Sequence, residues 1–391
     1  MKLSDMKRPH LVHCMAIINQ DSINIKASVT LRENLIAKIS DIELEIPTPK
    51  FPIQALRLLN QYQFTIKLVG FDKEHNEVFK KTYESDTFGN FNFKIPLTKE
   101  RESIEVIQIY EIKRRPGLEL LLGTIIPLRI LNPKKIIICD FDKTLVDTKY
   151  STTKEVYHSL TRPMHEFPTV KSSLEILKSY IDKGFHPFIL SASPHFYEDA
   201  MRDWLYSNGV FSAGIFLKDY RHFFSFLEGE LSPKDLKAQG LYKMNHLLDI
   251  LLMTGIPNQL VLMGDNFESD PAIYLIMAKI LKESNDPWFL WNQIKEKEIF
   301  NLHKKQNSQF LNKIFQLDNQ KSRFMKIHKS IDLKIYIRKK FKDDQLNLDH
   351  DFDHLRKYSQ FIELYEGLYQ KDYEVWLIDQ DNSVAGANKT I

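Results

Sequence analysis

The sequence predicts an α/β protein, a doubly wound parallel sheet preceded by a β-sandwich-like domain. Three observations carry this. Residues 136–139 (IIIC), 187–190 (PFIL) and 259–263 (QLVLM) are short, largely unbroken apolar runs, the pattern of strands covered on both faces. Helical stretches over 170–180, 197–205, 243–253 and 271–281 alternate with them, as crossover connections between parallel strands require. Upstream, residues 22–128 read as a succession of strands with no long helix.

Taken in order, residues 1–21 form an N-terminal extension that carries charge up to Arg8. The β-domain spans 22–131. Its clearest strands are 64–68 (FTIKL) and 91–95 (FNFKI), both alternating with period two. The segment DTFGN before the second holds the one glycine able to turn cheaply there. Further strands are expected at 23–31, 35–46, 104–112 and 120–128, with one short helix at 53–59. The pattern changes at Asn132-Pro133, and the α/β domain spans 132–345. Within it, 215–217 is a third strand, 259–263 a fourth, and 333–337 the last. A charged helical insertion occupies about 285–328. The tail, 346–391, adds a helix at 355–368 and a short apolar run at 375–378.

Length and composition set bounds. A chain of 391 residues makes roughly two or three domains. With 26 Phe, 16 Tyr and 4 Trp it is not a disordered chain. Two cysteines, Cys14 and Cys139, build neither a disulfide scaffold nor a zinc site by themselves. Charges of 54 basic against 51 acidic are too even to announce a nucleic-acid binder and leave room only for a local basic face. No apolar run reaches membrane-spanning length, and the best run near the start, 14–18, is too short for a secretory signal. The expectation is a cytoplasmic protein.

The chemistry lies in two acidic motifs. Asp140-Phe141-Asp142-Lys143-Thr144 follows the first buried run directly. In open parallel sheets the carboxyl ends of strands are where ligands bind. Two carboxylates so close require a proton or a cation, and hard oxygen donors suit Mg²⁺. The bland alternative is an acidic turn in which Thr144 makes a local hydrogen bond. The second motif is Gly264-Asp265-Asn266-Phe267-Glu268-Ser269-Asp270, again at a strand end. Here Pro271 makes Asp270 a plausible N-cap when taken alone. Ser191 and Ser193 follow the second buried run, where a hydroxyl and backbone N–H groups suit phosphate oxygens. Lys243 opens a helix from which an ammonium can neutralise the same phosphate. An acid pair, a hydroxyl, a lysine and a second acid pair, spread across one sheet, point to phosphoryl transfer.

In these motifs and their order the chain resembles the phosphatases of the haloacid-dehalogenase superfamily, with their Rossmannoid core. FILSASPHFYEDAMRDWL, GIFLKDY, YKMNHLLDIL and GDNFESDPAIY more narrowly resemble the bacterial and fungal relatives of the actin-patch-associated phosphatidate phosphatase. ESDTFGNFNFKIP resembles the β-domain that precedes the catalytic part in that family. The resemblance implies Asp140 as nucleophile and Asp142 as general acid/base. It implies Thr144, Ser191, Ser193, Lys218 and Lys243 as substrate holders, and Asp140, Asp142, Asp265 and Asp270 around Mg²⁺, with Asp142 contributing its carbonyl. The chain departs from the family in Lys143, where an acid commonly stands, in Lys218-Asp219 for Arg-Asp, and in the insertion at 285–328.

The 46 residues between Thr144 and Ser191, and the 49 between Ser193 and Lys243, leave no room for a full cap domain. An open site favours phosphate on something bulky, and phosphatidate is the substrate expected. Peripheral membrane contact through Lys143, Lys218, Arg221 and the aromatic run 222–227 is the matching partner expectation, with no nucleic acid and no protein partner identified. The alternatives are a protein or nucleotide phosphatase, or a non-catalytic scaffold.

Overall fold

The computed structural model describes residues 7–33, 62–114, 116–148, 164–194, 197–211, 214–218, 239–283, 286–295, 297, 300, 304–328, 330–339 and 345–374. The first eight strands, in chain order, are β1 (Lys7–Ile18), β2 (Ser22–Glu33), β3 (Thr65–Phe71), β4 (Glu77–Glu84), β5 (Asn90–Pro96), β6 (Val106–Glu111), β7 (Leu120–Ile125) and β8 (Leu128–Arg129). They form two four-stranded sheets, ordered β5-β2-β1-β8 and β4-β3-β6-β7. The first sheet is mixed, because β8 lies parallel to β1; the second is antiparallel. β6 shows the period-two logic plainly: Ile107, Ile109 and Glu111 turn inward while their neighbours are half-exposed. Ile25, Val29 and Phe91 of one sheet share a core with Ile66, Leu68, Ile107 and Ile109 of the other.

β1 corrects the sequence reading. Residues 7–18 are not an extension but a full strand, paired along its length with β2. β4 also escaped notice. Its Lys80, Lys81 and flanking glutamates sit on a sheet edge, where charge discourages pairing with another chain. The strand expected at 35–46 and the helix at 53–59 lie outside the described residues, as does the run at 375–378.

The second half is one six-stranded parallel sheet built from β9 (Lys135–Asp140), β10 (His186–Pro194), β11 (Gly214–Lys218), β12 (Gln259–Asp265), β13 (Asp332–Lys339) and β14 (Ile362–Glu366). Its order is β11-β10-β9-β12-β13-β14, with every neighbouring pair parallel. Helices α1 (Lys171–Asp182) and α2 (Glu198–Ser207) pack on one face through Leu174, Leu177, Met201 and Trp204, against Ile137, Cys139 and Met263. On the other face lie α3 (Gln239–Thr254), α4 (Asp270–Lys282), α5 (Pro287–Ile294) and α6 (Lys304–Ile327), against Ile136, Ile138 and Leu262. α6 belongs to the expected insertion, and its buried Phe310, Ile314 and Leu317 repeat at helical spacing.

The tail is the second correction. The helix expected at 355–368 is a 3₁₀ helix, His350–Phe361, followed by strand β14. Its buried residues Phe352, Leu355 and Tyr358 recur every third position, which is 3₁₀ rather than α periodicity. β13 is therefore not the last strand, and β14 closes that edge. Among the described residues, no helix is long and apolar enough to cross a membrane.

Candidate active site

The site is built where β9 and β12 lie side by side and both end in an aspartate. Asp140 closes β9 in register with Leu190 of β10, and Asp265 closes β12 opposite Arg338 of β13. Past Asp140 the chain folds into a tight loop. Phe141 N–H donates to the Leu190 carbonyl at 2.8 Å, Leu145 N–H to the Phe141 carbonyl at 2.9 Å, and Lys143 N–H to the Val146 carbonyl at 2.7 Å. Lys143 takes φ 60°, the left-handed region that a non-glycine residue enters at a cost. Phe141 anchors the loop edge-on against Trp204, with ring centroids 5.2 Å apart.

Asp265 is held by a local turn. Its Oδ1 accepts from Phe267 N–H at 2.5 Å and from Glu268 N–H at 3.0 Å, the side-chain-to-backbone turn that aspartate favours. Its Oδ2 is buried and accepts no hydrogen bond. Asp270 begins α4, whose N-cap is Ser269, but its carboxylate does no capping. Instead Oδ2 accepts from Asp265 N–H at 3.1 Å and Oδ1 accepts from Lys243 Nζ at 2.5 Å. Gly264 makes this approach possible. A Cβ there would stand 2.7 Å from the Tyr274 ring and 2.9 Å from Asp270 Cβ.

Asp140, Asp265 and Asp270 each offer an oxygen within 4.8 Å of the others, and all three are fully buried. Lys243, on α3, puts Nζ 3.1 Å from Asp140 Oδ1 as well as on Asp270. It lies within α3 rather than opening it, since the helix starts at Gln239. Burial, opposed by Lys243 and reinforced by Asp270, Asp265 and Asp142, holds the Asp140 carboxyl well above its usual range. Burial and the charge of Asp270 push Asp265 up to about 7. Burial also raises Asp270, with Lys243 acting against it. Burial would lower the Lys243 ammonium, yet Asp140 and Asp270 outweigh it and hold it well above the usual lysine range. Three carboxylates face one ammonium in a dry place. Hard oxygen donors, a surplus of negative charge and a buried oxygen without a hydrogen bond together fit a divalent cation such as Mg²⁺.

The Asp142 carboxylate lies outside this cluster. Its Oδ2 accepts from Ser191 Oγ at 2.5 Å, with Ser193 Oγ at 3.5 Å, and its Oδ1 accepts from Thr148 Oγ at 3.1 Å. Ser193 N–H in turn donates to Ser191 Oγ at 3.0 Å. Thr144 Oγ donates to Asp140 Oδ2 at 3.3 Å. Thus each carboxylate of the DFDKT motif has its own hydroxyl brace. Lys143 Nζ meets Glu268 Oε1 at 2.5 Å, joining the two acidic loops. Lys218 ends β11, but its side chain lies outside the described residues. So do Asp219, Arg221 and the run at 222–227.

Three residues at the site went unmarked in the sequence. Thr148 holds Asp142. Tyr242, beside Lys243, donates its hydroxyl to the Ser191 carbonyl and, at 2.8 Å, to the Phe216 carbonyl, which fixes the serine segment. Glu268 pairs with Lys143. Glu268 had a signal in its place inside the second acidic motif, and Tyr242 in opening the run YKMNHLLDIL; Thr148 had none.

Residues 135–285 match the family model described as "Phosphatidate phosphatase APP1, catalytic domain". No curated protein matches the chain. Among solved structures, a calcium-binding mutant of Bacteroides uniformis β-glucuronidase 2 is similar at 11% identity, over 96% of this chain and 39% of that one, with TM-score 0.24. The Parabacteroides merdae β-glucuronidase with glycerol is similar at 9% identity, over 92% and 46%, with TM-score 0.25. A structure described as "putative beta-galactosidase from bacteroides fragilis" is similar at 8% identity, over 91% and 54%, with TM-score 0.22. The chain spans only about half or less of these proteins, and at such scores the likeness bears on neither fold nor function.

Proposed function

We propose that this chain, which over residues 135–285 carries a catalytic domain of the phosphatidate phosphatase APP1 family, is a Mg²⁺-dependent phosphomonoesterase acting on phosphatidate. The observation that carries the reading is the buried cluster of Asp140, Asp265 and Asp270 with Lys243 at the ends of adjacent parallel strands. Asp140, Asp265 and Asp270, with the backbone at Asp142, would hold the cation. When bound, the cation supplies positive charge that lets the carboxylates ionise together and draws electron density from the phosphoryl oxygens.

The chain's own groups divide the rest of the work. Asp140 attacks phosphorus through a carboxylate oxygen, its P–O bond forming as the bond to the leaving alcohol breaks. Asp142, protonated, gives its proton to the departing alkoxide. It then takes a proton from water as that water attacks the aspartyl-phosphate, which returns Asp140 free and releases phosphate. Ser191 and Thr148 orient Asp142 for both transfers, and Thr144 orients Asp140. Lys243 offsets charge on the transferring group. Ser193 and Lys218 complete the substrate-holding set. The two sheets upstream form the β-sandwich-like companion domain of residues 22–131, to which β1 must be added.

A lipid substrate is supported by the family match and by the short chain lengths between the site motifs; Lys218 and Arg221 are the basic groups assigned to an anionic interface, while Lys143, expected beside them, pairs with Glu268. Such contacts contribute about 1 kcal/mol each and fade with salt. Phosphate release from phosphatidate in mixed micelles, set against soluble sugar phosphates, nucleotides and phosphopeptides, tests the assignment. Phosphatidate should be turned over most efficiently, with activity rising as its surface fraction rises at constant bulk concentration. Preference for a soluble monophosphate would overturn the lipid assignment and leave the phosphatase standing.

A further inference from the structure

Outside the family-matched stretch, one buried arginine reaches into the nucleophile loop. Arg338 is the residue of β13 that faces Asp265 across the sheet, and it is 5% exposed. Its Nη1 donates to the Lys143 carbonyl at 2.5 Å and lies 3.5 Å from Asp147 Oδ1. Its Nη2 donates to the Tyr369 hydroxyl at 3.2 Å, and that hydroxyl donates to Asp147 Oδ2 at 2.7 Å. The guanidinium is covered by the rings of Phe267 at 5.4 Å and Tyr369 at 5.8 Å. The Arg338 carbonyl accepts from Asn266 N–H at 2.9 Å. One residue thereby touches both acidic loops, DFDKT through its side chain and GDNFESD through its backbone.

We propose that Arg338 is a positioning residue for the phosphoryl-transfer reaction, fixing the loop that carries Asp140 and Asp142 from a strand beyond the family-matched domain; the proposal rests on the phosphatase reading above. The loop needs such a brace. Lys143 sits in the left-handed region between the two aspartates and Thr144, a conformation that neighbours must hold. A guanidinium suits the task because it presents several fixed donors at once, to a carbonyl, a carboxylate and a phenol. The tail completes the socket. Gly367 lies against the guanidinium so closely that an added Cβ would stand 2.8 Å from Arg338 Cζ and 2.9 Å from Cδ. The tail itself is tied to α1, where Ser172 Oγ donates to the Glu366 carbonyl at 2.8 Å and accepts from Leu368 N–H at 2.9 Å. Arg338 therefore transmits the position of β13, β14 and the tail to the nucleophile.

The test uses the full chain with Mg²⁺ and an aryl phosphate. Arg338→Ala should lower kcat by roughly tenfold to a hundredfold, the penalty of a loosely aimed reacting group, with KM little changed. Guanidinium ion added to Arg338→Ala should restore part of kcat, and should do nothing for wild type or for Asp140→Asn. Gly367→Ala should show the same loss without rescue, since its arginine is present but displaced. Amide exchange of the 141–148 segment should quicken in both variants. Should Arg338→Ala fail to fold, Arg338→Lys takes its place and should still lose kcat, because one ammonium cannot serve the three partners. An active wild type beside an equally active Arg338→Ala or Arg338→Lys overturns the inference, as does a folded Arg338→Ala that guanidinium does not rescue. A wild type inert on every phosphomonoester overturns the phosphatase reading instead, and faster exchange confined to 141–148 then still reports whether Arg338 braces the loop.

Discussion

Replacing Asp265 by Asn should stabilise the metal-free protein and at the same time remove its response to Mg²⁺. The Asp265 carboxyl is raised from 3.8 to about 7 in the fold, by burial and by Asp270. A carboxyl shifted upward favours the folded state only while it keeps its proton. Between about pH 4 and pH 7 the unfolded chain gives up that proton and the folded one retains it, so stability falls as pH rises and stays reduced above 7. A shift of about three pKa units corresponds to about 4 kcal/mol as an upper bound. Asn carries no charge at any of these pH values. Its side-chain oxygen can keep the bonds from Phe267 and Glu268 N–H, while its amide takes the place of the unbonded Oδ2. Half to all of the bound, at roughly 2 °C per kcal/mol, raises Tm by about 4–8 °C in chelator at pH 8. Wild type should gain about 2.7 kcal/mol from Mg²⁺ at a hundred times its Kd, and the Asn variant should gain nothing. Melting curves at pH 5 and pH 8, in chelator and in Mg²⁺, check this. A variant less stable than wild type in chelator at pH 8, or one that keeps the full Mg²⁺ shift, refutes the reasoning.

Asp140→Asn should lose hydrolysis of an aryl phosphate by roughly a thousandfold or more while its Tm holds, because an amide forms no acyl-phosphate. Asp142→Asn should retain phosphoenzyme, seen as added mass after quenching, with an activated aryl leaving group, and should fail on an alkyl phosphate; equal losses on both would remove its acid/base role. Asp249→Ala should destabilise the protein by about 3 kcal/mol by stripping a buried partner from Lys26 and Lys313. Burial works against the charge of Asp249, but Lys26, Lys313 and His246 hold its carboxyl below the usual range. Its contribution is thus complete above about pH 4 and is lost as pH falls, so wild type and variant should converge in acid denaturation.

The acids were legible because the sheet announces its own strand ends. Ile136 to Cys139 reads as buried on both sides, so the residue after it stands at the carboxyl edge, and the same logic places Asp265. Sequence alone does not state that β9 and β12 are neighbours, which is what brings Asp140 to Asp265 and Asp270. Nor does it state what holds the Asp142 carboxylate, since these groups are the hydroxyls of Thr148 and Ser191, one of them 49 residues away. β1 was missed because Lys7, Arg8, His10 and His13 mask its alternation. His13 is nonetheless buried, its Nδ1 at 2.7 Å from Glu198 of α2, so a polar residue there is an interior one. β14 was misread because Leu355 to Leu368 places apolar residues three and four apart, a spacing that a 3₁₀ helix followed by a strand also satisfies.

The same contacts argue against treating the upstream sheets as a detachable module. α3, which carries Tyr242 and Lys243, is gripped at its far end by the β1–β2 hairpin. Asn19 and Asn24 each donate a side-chain amide to the Met253 carbonyl at 2.9 Å. That carbonyl belongs to the last turn of the helix, where carbonyls lack helical partners. One turn earlier, Lys26 of β2 bonds Asp249 at 3.0 Å, while Lys313 of the inserted α6 bonds its other oxygen at 2.5 Å. Met15 and Ile17 of β1, with Ile130, belong to the apolar core beneath α3 and α4 rather than to the core of the two upstream sheets. Cutting the chain at 131 would uncover that core, remove both amides from the helix end and leave Asp249 with one cation fewer. The stretch matched by the family model is therefore shorter than the unit that must fold. The hairpin at one end of α3 and Arg338 beside the DFDKT loop are both outside the matched residues, and both touch the elements that carry Lys243 and the acidic cluster.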